Sequence, residues 1–255
     1  MHKIVTVTMN PAIDLSAGTN LITADRKLRF SHLRHEPGGG GVNVSRAIRK
    51  MGGESTAVCM TRNQKETMLL ELLQAESIST LPVHINDPTR ENFHIYEEST
   101  GKQYRFDMPG PTVNKEEWQS CLYILEKMNP VPDYMVVSGS LPKGVPSDFY
   151  ARIARRMQKA DVRIILDSSG ESLEAAVAEG VFLIKPNLRE LQLLNGSPIK
   201  SEEELEHAAM DIAGSKGCES VIVSLGAAGA LAVTGNEYIR VIAPWVPCTQ
   251  HNRSG

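Results

Sequence analysis

Four consecutive glycines run straight into what reads as a helix, in Pro37-Gly38-Gly39-Gly40-Gly41-Val42-Asn43-Val44-Ser45-Arg46-Ala47. Glycine lets a backbone come close to a ligand and adopt positive φ, and a helix start offers unpaired N–H groups to an anion or a hydroxyl. Such a run costs more conformational entropy than a plain turn warrants, so a binding role outweighs a flexible connection. The loop is not a P-loop, because no Gly-Lys-Ser/Thr follows it, and its spacing fails the dinucleotide fingerprint G-x-G-x-x-G.

Other residues able to do chemistry stand where strands should end. Asp14 closes Asn10-Pro11-Ala12-Ile13-Asp14. Its carboxylate could accept from hydroxyls, and on spacing alone a turn-forming or capping Asp reads equally well. Arg90, in Pro88-Thr89-Arg90-Glu91-Asn92, opens a hairpin; an exposed Arg is usually only solvated, yet a guanidinium also suits a phosphate through paired hydrogen bonds. Ser138-Gly139-Ser140-Leu141-Pro142 reads alone as a strand-to-loop turn. Lys185-Pro186-Asn187-Leu188-Arg189-Glu190 reads as an Asn cap with an acidic first turn. Asp167 sits at another strand end, and Ser224-Leu225-Gly226-Ala227-Ala228-Gly229 turns after a late strand.

The elements that must position these residues follow from hydrophobic period. A β-branched run, 4–9, stops at Asn10-Pro11 as a buried strand would. The spacing of Val42, Val44, Ala47, Ile48 and Met51 predicts a helix over 41–51, closed by Gly52-Gly53. A strand at 56–60 and a helix at 66–75 come next. Two stretches break the rhythm: 16–37 is polar with a short alternation at Lys27-Leu28-Arg29-Phe30, and 92–97 with 103–107 alternate across Ser99-Thr100-Gly101 as a hairpin. Helices at 115–127, 147–159, 171–178 and 202–213 then alternate with strands at 134–137, 163–166, 181–184 and 220–223. That alternation predicts an α/β fold with a mainly parallel sheet, ligands binding at the C-terminal strand ends.

The 255 residues, 41% hydrophobic and 22% charged, suit one α/β domain, and the net charge of −3 argues against a general nucleic-acid binder. Four scattered cysteines (Cys59, Cys121, Cys218, Cys248) form no CxxC pair and read as reduced core thiols. His32 and His35 lack a third ligand at metal spacing. The N-terminal apolar run is too short for a signal peptide and no stretch approaches about 18 apolar residues, so a cytoplasmic protein without a membrane partner is expected.

Taken in order, these motifs resemble the ribokinase/PfkB carbohydrate kinases, whose first signature is a Gly-Gly run followed by Asn and a small residue on a helix. The resemblance runs from residue 4 to about 244 and includes Gly101-Lys102-Gln103-Tyr104-Arg105-Phe106-Asp107-Met108-Pro109-Gly110. It implies a ribokinase-like three-layer fold of one domain, 1–255, with a small protruding β-sheet lid inserted at about 16–36 and 91–108. It implies sugar binding by Asp14, Gly39, Gly40 and Asn43, a phosphate grip by Arg90 with Lys27 as a basic lid residue, and a site bordered by Ser138. Lys185, Asn187, Ser224, Gly226 and Gly229 would meet ATP, and Glu190 would hold Mg²⁺ through water. Fructose 6-phosphate is the first acceptor it implies, with tagatose 6-phosphate and fructose 1-phosphate kinases as close rivals. A lid that also pairs two subunits into a homodimer is implied as well.

The chain departs from the family at Thr61-Arg62-Asn63-Gln64-Lys65-Glu66, where glycines are usual. A second departure is larger. The family's Gly-Ala-Gly-Asp signature, which supplies an anion hole and the catalytic base, does not occur; the sequence reads Val246-Pro247-Cys248-Thr249-Gln250-His251-Asn252-Arg253-Ser254-Gly255 instead. On the resemblance the base and the last helices are expected beyond Gly255. Codons for His-Asn-Arg-Ser-Gly, read one base later, can spell Thr-Ile-Gly-Ala-Gly, so a frameshift near Cys248 is the expectation. Sequencing the 3′ end of the coding DNA tests it; an intact frame without a downstream Gly-Ala-Gly-Asp would end the idea.

Overall fold

The first β-branched run forms β1 (Ile4–Thr8), and its period of two sorts side chains to opposite faces. Val5, Val7 and then Met9 enter a large core with Trp118, Leu122 and Phe149. Thr6 and Thr8 turn the other way, toward the glycine helix. The computed structural model describes residues 2–62, 68–215, 217–235 and 237–244; the loop at 63–66 and the segment from 245 onward lie outside them.

After β1 come β2 (Ala12–Thr19), β3 (Ser31–Gly38) and α1 (Gly40–Lys50), then β4 (Thr56–Thr61), α2 (Met68–Ala75) and β5 (Ser79–His84). The hairpin β6 (Arg90–Glu97) and β7 (Lys102–Phe106) follows. The second half alternates α3 (Lys115–Glu126), β8 (Tyr134–Ser138), α4 (Phe149–Gln158), β9 (Arg163–Asp167), α5 (Gly170–Glu179) and β10 (Val181–Ile184). It continues with α6 (Leu188–Asn195), α7 (Glu202–Ser215), β11 (Cys218–Ser224), β12 (Ala230–Thr234) and β13 (Glu237–Val241).

The large sheet has the order β13-β12-β11-β10-β9-β8-β1-β4-β5. From β11 to β5 every pairing is parallel, as the strand–helix alternation predicts. β12 and β13 add an antiparallel end that the period of the sequence does not announce. Edge strand β5 also escapes the sequence reading, since Ser79-Thr80-Leu81-Pro82-Val83-His84 mixes polar residues with a proline that only an edge tolerates. Strand order reverses at β1, which lies between β4 and β8. Side chains and loops at the C-terminal ends of β1 and β8 therefore border a crevice. No helix among the described residues is long and apolar enough to cross a membrane.

The second sheet, β3-β2-β6-β7, is the expected lid, but its first strand begins at Ala12 rather than near Ser16. β2 runs parallel to β6 from Ala12↔Arg90 through Asp14↔Asn92, a partnership no local window reveals. The Lys27–Phe30 alternation is not a strand; it lies in the connection from β2 to β3. Polar clips fasten the lid at its base. Asp87 accepts from the Thr112 amide at 2.8 Å, joining the segments that enter and leave the lid. Buried Glu117 accepts from both nitrogens of Asn86 at 2.7 Å and from the Asn114 amide at 2.8 Å, completing a capping box on α3. Farther out, Glu97 accepts from the Thr100 hydroxyl and from the Ile22 amide. These bonds hold its carboxyl below the ordinary glutamate range.

Glu117→Ala strands the donors of Asn86 and Asn114, and is expected to cost about 1–3 kcal/mol in urea unfolding. A loss under about 0.5 kcal/mol, typical of an uninvolved surface position, would show the base is held otherwise. Because the pKa of Glu97 is depressed in the fold, its contribution is complete above the unfolded glutamate range and fades as pH falls through the lower folded value. The Ile22 amide resonance should titrate below that ordinary range, and Glu97→Gln should abolish the titration.

Candidate active site

The start of α1 touches the ends of both central strands. A Cβ placed on Gly40 would stand 2.6 Å from the Ser138 carbonyl carbon and 2.7 Å from the Gly139 nitrogen, both of them backbone that cannot yield. Gly39, the N-cap, has φ of 113° and no side chain to cap with. The amides of Gly40 and Gly41 have no intrahelical partner, as at any helix start. Asn43 donates its amide to the Gly39 carbonyl at 2.8 Å, while its side chain is exposed.

Across the turn, half-buried Asp14 lies against Gly38. Its Oδ1 accepts from Asn92 Nδ2 at 2.9 Å, and Asn92 Oδ1 accepts from the Met108 amide at 3.2 Å. The Met108 carbonyl in turn accepts from Arg90 Nη1 at 3.4 Å. The backbone of one residue thus ties Asn92 and Arg90 together, and among the described residues Asp14 Oδ2 has no hydrogen-bond partner. Asn92 is a site residue the sequence reading missed; the signal was a polar residue at a strand position that proves buried. Arg90 Nε, Thr89 Oγ1 and Asn10 Oδ1 are sealed from solvent and have no partner among the described residues. Buried polar atoms normally have one. Asn10 meanwhile donates from Nδ2 to Ser140 at 3.1 Å. Lys27 is exposed in the β2–β3 connection and is not bonded to any of these groups.

Ser138 is buried and donates its hydroxyl to Asp167 Oδ2 at 3.3 Å; that hydroxyl oxygen is also 2.4 Å from where a Cβ on Gly40 would stand, so side chain and backbone of Ser138 both lie against the glycine turn. The next carbonyl, of Gly139, accepts from Tyr150 at 3.0 Å and from Ser168 at 3.3 Å. Burial pushes the Tyr150 hydroxyl pKa up, keeping it a donor. Asp167 Oδ1 pairs with Lys185 at 3.1 Å, linking this wall to the strand ends of β10 and β11. There Asn187 and Glu190 form a second capping box, which uses Asn187 Oδ1 and Glu190 Oε2. Ser224 donates its amide to the Pro186 carbonyl at 2.9 Å and bridges to Asn187. No described residue comes within 4 Å of where a Cβ on Gly226 would be, whereas Gly229 is required by packing: a Cβ there would meet the Val241 carbonyl at 1.9 Å. Among the described residues no group of three or more His, Cys, Asp or Glu could hold a metal ion. A cleft of about 650 Å³, lined by Lys3, Leu81, Tyr123 and Lys127 among others, opens where the strands begin and contains none of these residues.

The model of the pfkB family of carbohydrate kinases matches residues 1–249. The chain belongs to this family. Its curated relatives include the ATP-dependent 6-phosphofructokinase isozyme 2 of Escherichia coli K12, 38% identical over 96% of this chain and 79% of that protein. The 1-phosphofructokinase of Bacillus subtilis is 32% identical over 91% of this chain and 75% of its own length. The crystal structure of phosphofructokinase-2 from Escherichia coli in complex with fructose-6-phosphate superposes with a TM-score of 0.91, covering 96% of this chain and 81% of that one. In this pfkB-family chain the ribokinase-like arrangement of large sheet and separate lid is the expected one.

Tyr150→Phe removes one of two donors to the Gly139 carbonyl and is expected to lower stability by about 1 kcal/mol, measured by chemical unfolding. No loss would mean that Ser168 alone holds the wall.

Proposed function

We propose that this pfkB-family chain takes fructose 6-phosphate in the crevice between lid and glycine turn, and ATP with Mg²⁺ along the ends of β10 and β11. The observation that carries the reading is Asp14: anchored by Asn92 on one oxygen, it keeps the other free beside the glycine turn. A carboxylate so held accepts from sugar hydroxyls without reorganising. Arg90, with Nε unpartnered, suits the sugar's phosphate through charge-assisted bonds, and the Gly40 and Gly41 amides suit hydroxyls or the anion. The names of the relatives support both a 6-phosphate and a 1-phosphate acceptor; Asp14 and Arg90 serve either.

The residues at the second edge fit a magnesium nucleotide. Lys185 is part-exposed and cationic, Gly226 leaves room for close approach, and Glu190 keeps Oε1 outside its capping box. Magnesium retains several waters and needs few carboxylates, so one spare oxygen suffices to order its water shell. Bound there, the magnesium–ATP complex supplies the transferable phosphoryl group. Catalysis of such a transfer rests on positioning and charge. The family's base for the acceptor hydroxyl sits in Gly-Ala-Gly-Asp, which the 255 residues do not contain. Exposed Phe30, Leu33 and Phe106 on the lid support pairing with a second copy.

Calorimetry should detect fructose 6-phosphate, and Arg90→Met should weaken it about tenfold or more, the loss of a charged hydrogen-bonding partner. Unphosphorylated fructose should then bind both proteins equally weakly. Absence of fructose 6-phosphate, tagatose 6-phosphate and fructose 1-phosphate binding would sink the reading.

A further inference from the structure

Thr8, the last residue of β1, is 2% exposed and lies directly under the glycine turn. Its hydroxyl accepts from the Val42 amide at 2.8 Å. Its methyl carbon is 2.7 Å from where a Cβ on Gly39 would be, and its hydroxyl oxygen 2.6 Å from that of Gly41. One side chain is therefore wedged against two glycines of the run and bonded to the residue after them.

A helix is ordinarily capped by the side chain of its own N-cap residue, which accepts from the second or third amide. Gly39 cannot do this, because a φ of 113° and the close approach of Thr8 and Pro11 exclude a side chain. Val42 is the third residue of α1. Its amide is the one a cap would take, and Thr8 takes it from the neighbouring strand.

We propose that Thr8 is the positioning residue of the sugar-binding turn: a cap supplied by β1 that sets where the Gly40 and Gly41 amides stand without touching the substrate. With Val42 satisfied by Thr8 and Asn43 by the Gly39 carbonyl, Gly40 and Gly41 are the first-turn amides left for a ligand. A second hydroxyl contact, Thr6 to Ser45 at 2.8 Å, holds the next turn of α1, and Thr6 is not among the nearest neighbours of any glycine of the run. Thr6 thus serves as a control for docking of the helix as distinct from placement of its first turn. The role in sugar binding rests on the function proposed above; the capping role does not.

The test compares Thr8→Val, which keeps the shape and removes the hydroxyl, with Thr8→Ser, which keeps the hydroxyl, and with Thr6→Val. In ligand-free protein, Val42 amide exchange followed by NMR should quicken about tenfold or more in Thr8→Val and stay within about threefold in Thr8→Ser, the scale of one unmet buried N–H. Fructose 6-phosphate affinity should follow the same pattern, with Thr6→Val lowering the unfolding midpoint while leaving affinity unchanged. Should Thr8→Val not fold, Thr8→Ala carries the same expectation. Parent-like exchange in the hydroxyl-deleted variant overturns the cap, as does equal impairment by Thr8→Ser. Weakened sugar binding in Thr6→Val equal to that in Thr8→Val overturns its special place. If the parent binds no sugar phosphate, the function proposed above falls, and Val42 exchange alone decides for or against the cap.

Discussion

At Gly40 the backbone of α1 meets the backbone of the loop after β8, with no space for even a methyl group between them. Much of the site follows from that contact. It brings a helix start over the ends of β1 and β8, the place where strand order reverses and a crevice must form. It requires glycine, and the positive φ of Gly39 beside it removes the usual capping side chain. The helix start is left with amides to offer, and capping passes to a threonine in the strand beneath.

The lid is joined to this contact by hydrogen bonds and by Ile13, which is buried with Val42 of α1 and with Leu69 and Leu73 of α2. Asp14 leans on Gly38, Asn92 holds Asp14, and the Met108 amide and carbonyl hold Asn92 and Arg90 together. A movement of the loop at Met108 would therefore alter the carboxylate and the guanidinium at once. Below it, Asp87 and Glu117 fasten the entering and leaving segments to the body. The carboxylate and guanidinium are thus carried on strands whose base is fixed.

Asp167 connects the two halves of the crevice, accepting from Ser138 with one oxygen and pairing with Lys185 through the other. Both members of that ion pair are partly exposed, so its value is geometric more than energetic. The capping box at Asn187 and Glu190 has the same double character. It caps the start of α6 in the ordinary way and uses only one of the two Glu190 carboxylate oxygens.

Much was legible in the sequence alone. Period and punctuation determined the alternation of strands and helices, because side chains of a half-buried strand or helix must repeat with the backbone. Composition at 38–41 determined that a backbone approaches something closely there. The motif order determined the family. What the sequence could not determine was pairing across distance: the parallel partnership of β2 with β6 that sets Asn92 beside Asp14, the antiparallel end at β12 and β13, and the proline-bearing edge at β5. Nor could it single out Thr8 among the threonines of β1, or show that the Ser138 hydroxyl is shared between Asp167 and the approach to Gly40. Local pattern reports which face a residue takes; only the packed chain decides which residue from elsewhere meets it there. The glycine run, visible at once as a place of close approach, acquires from the fold the identity of what it approaches.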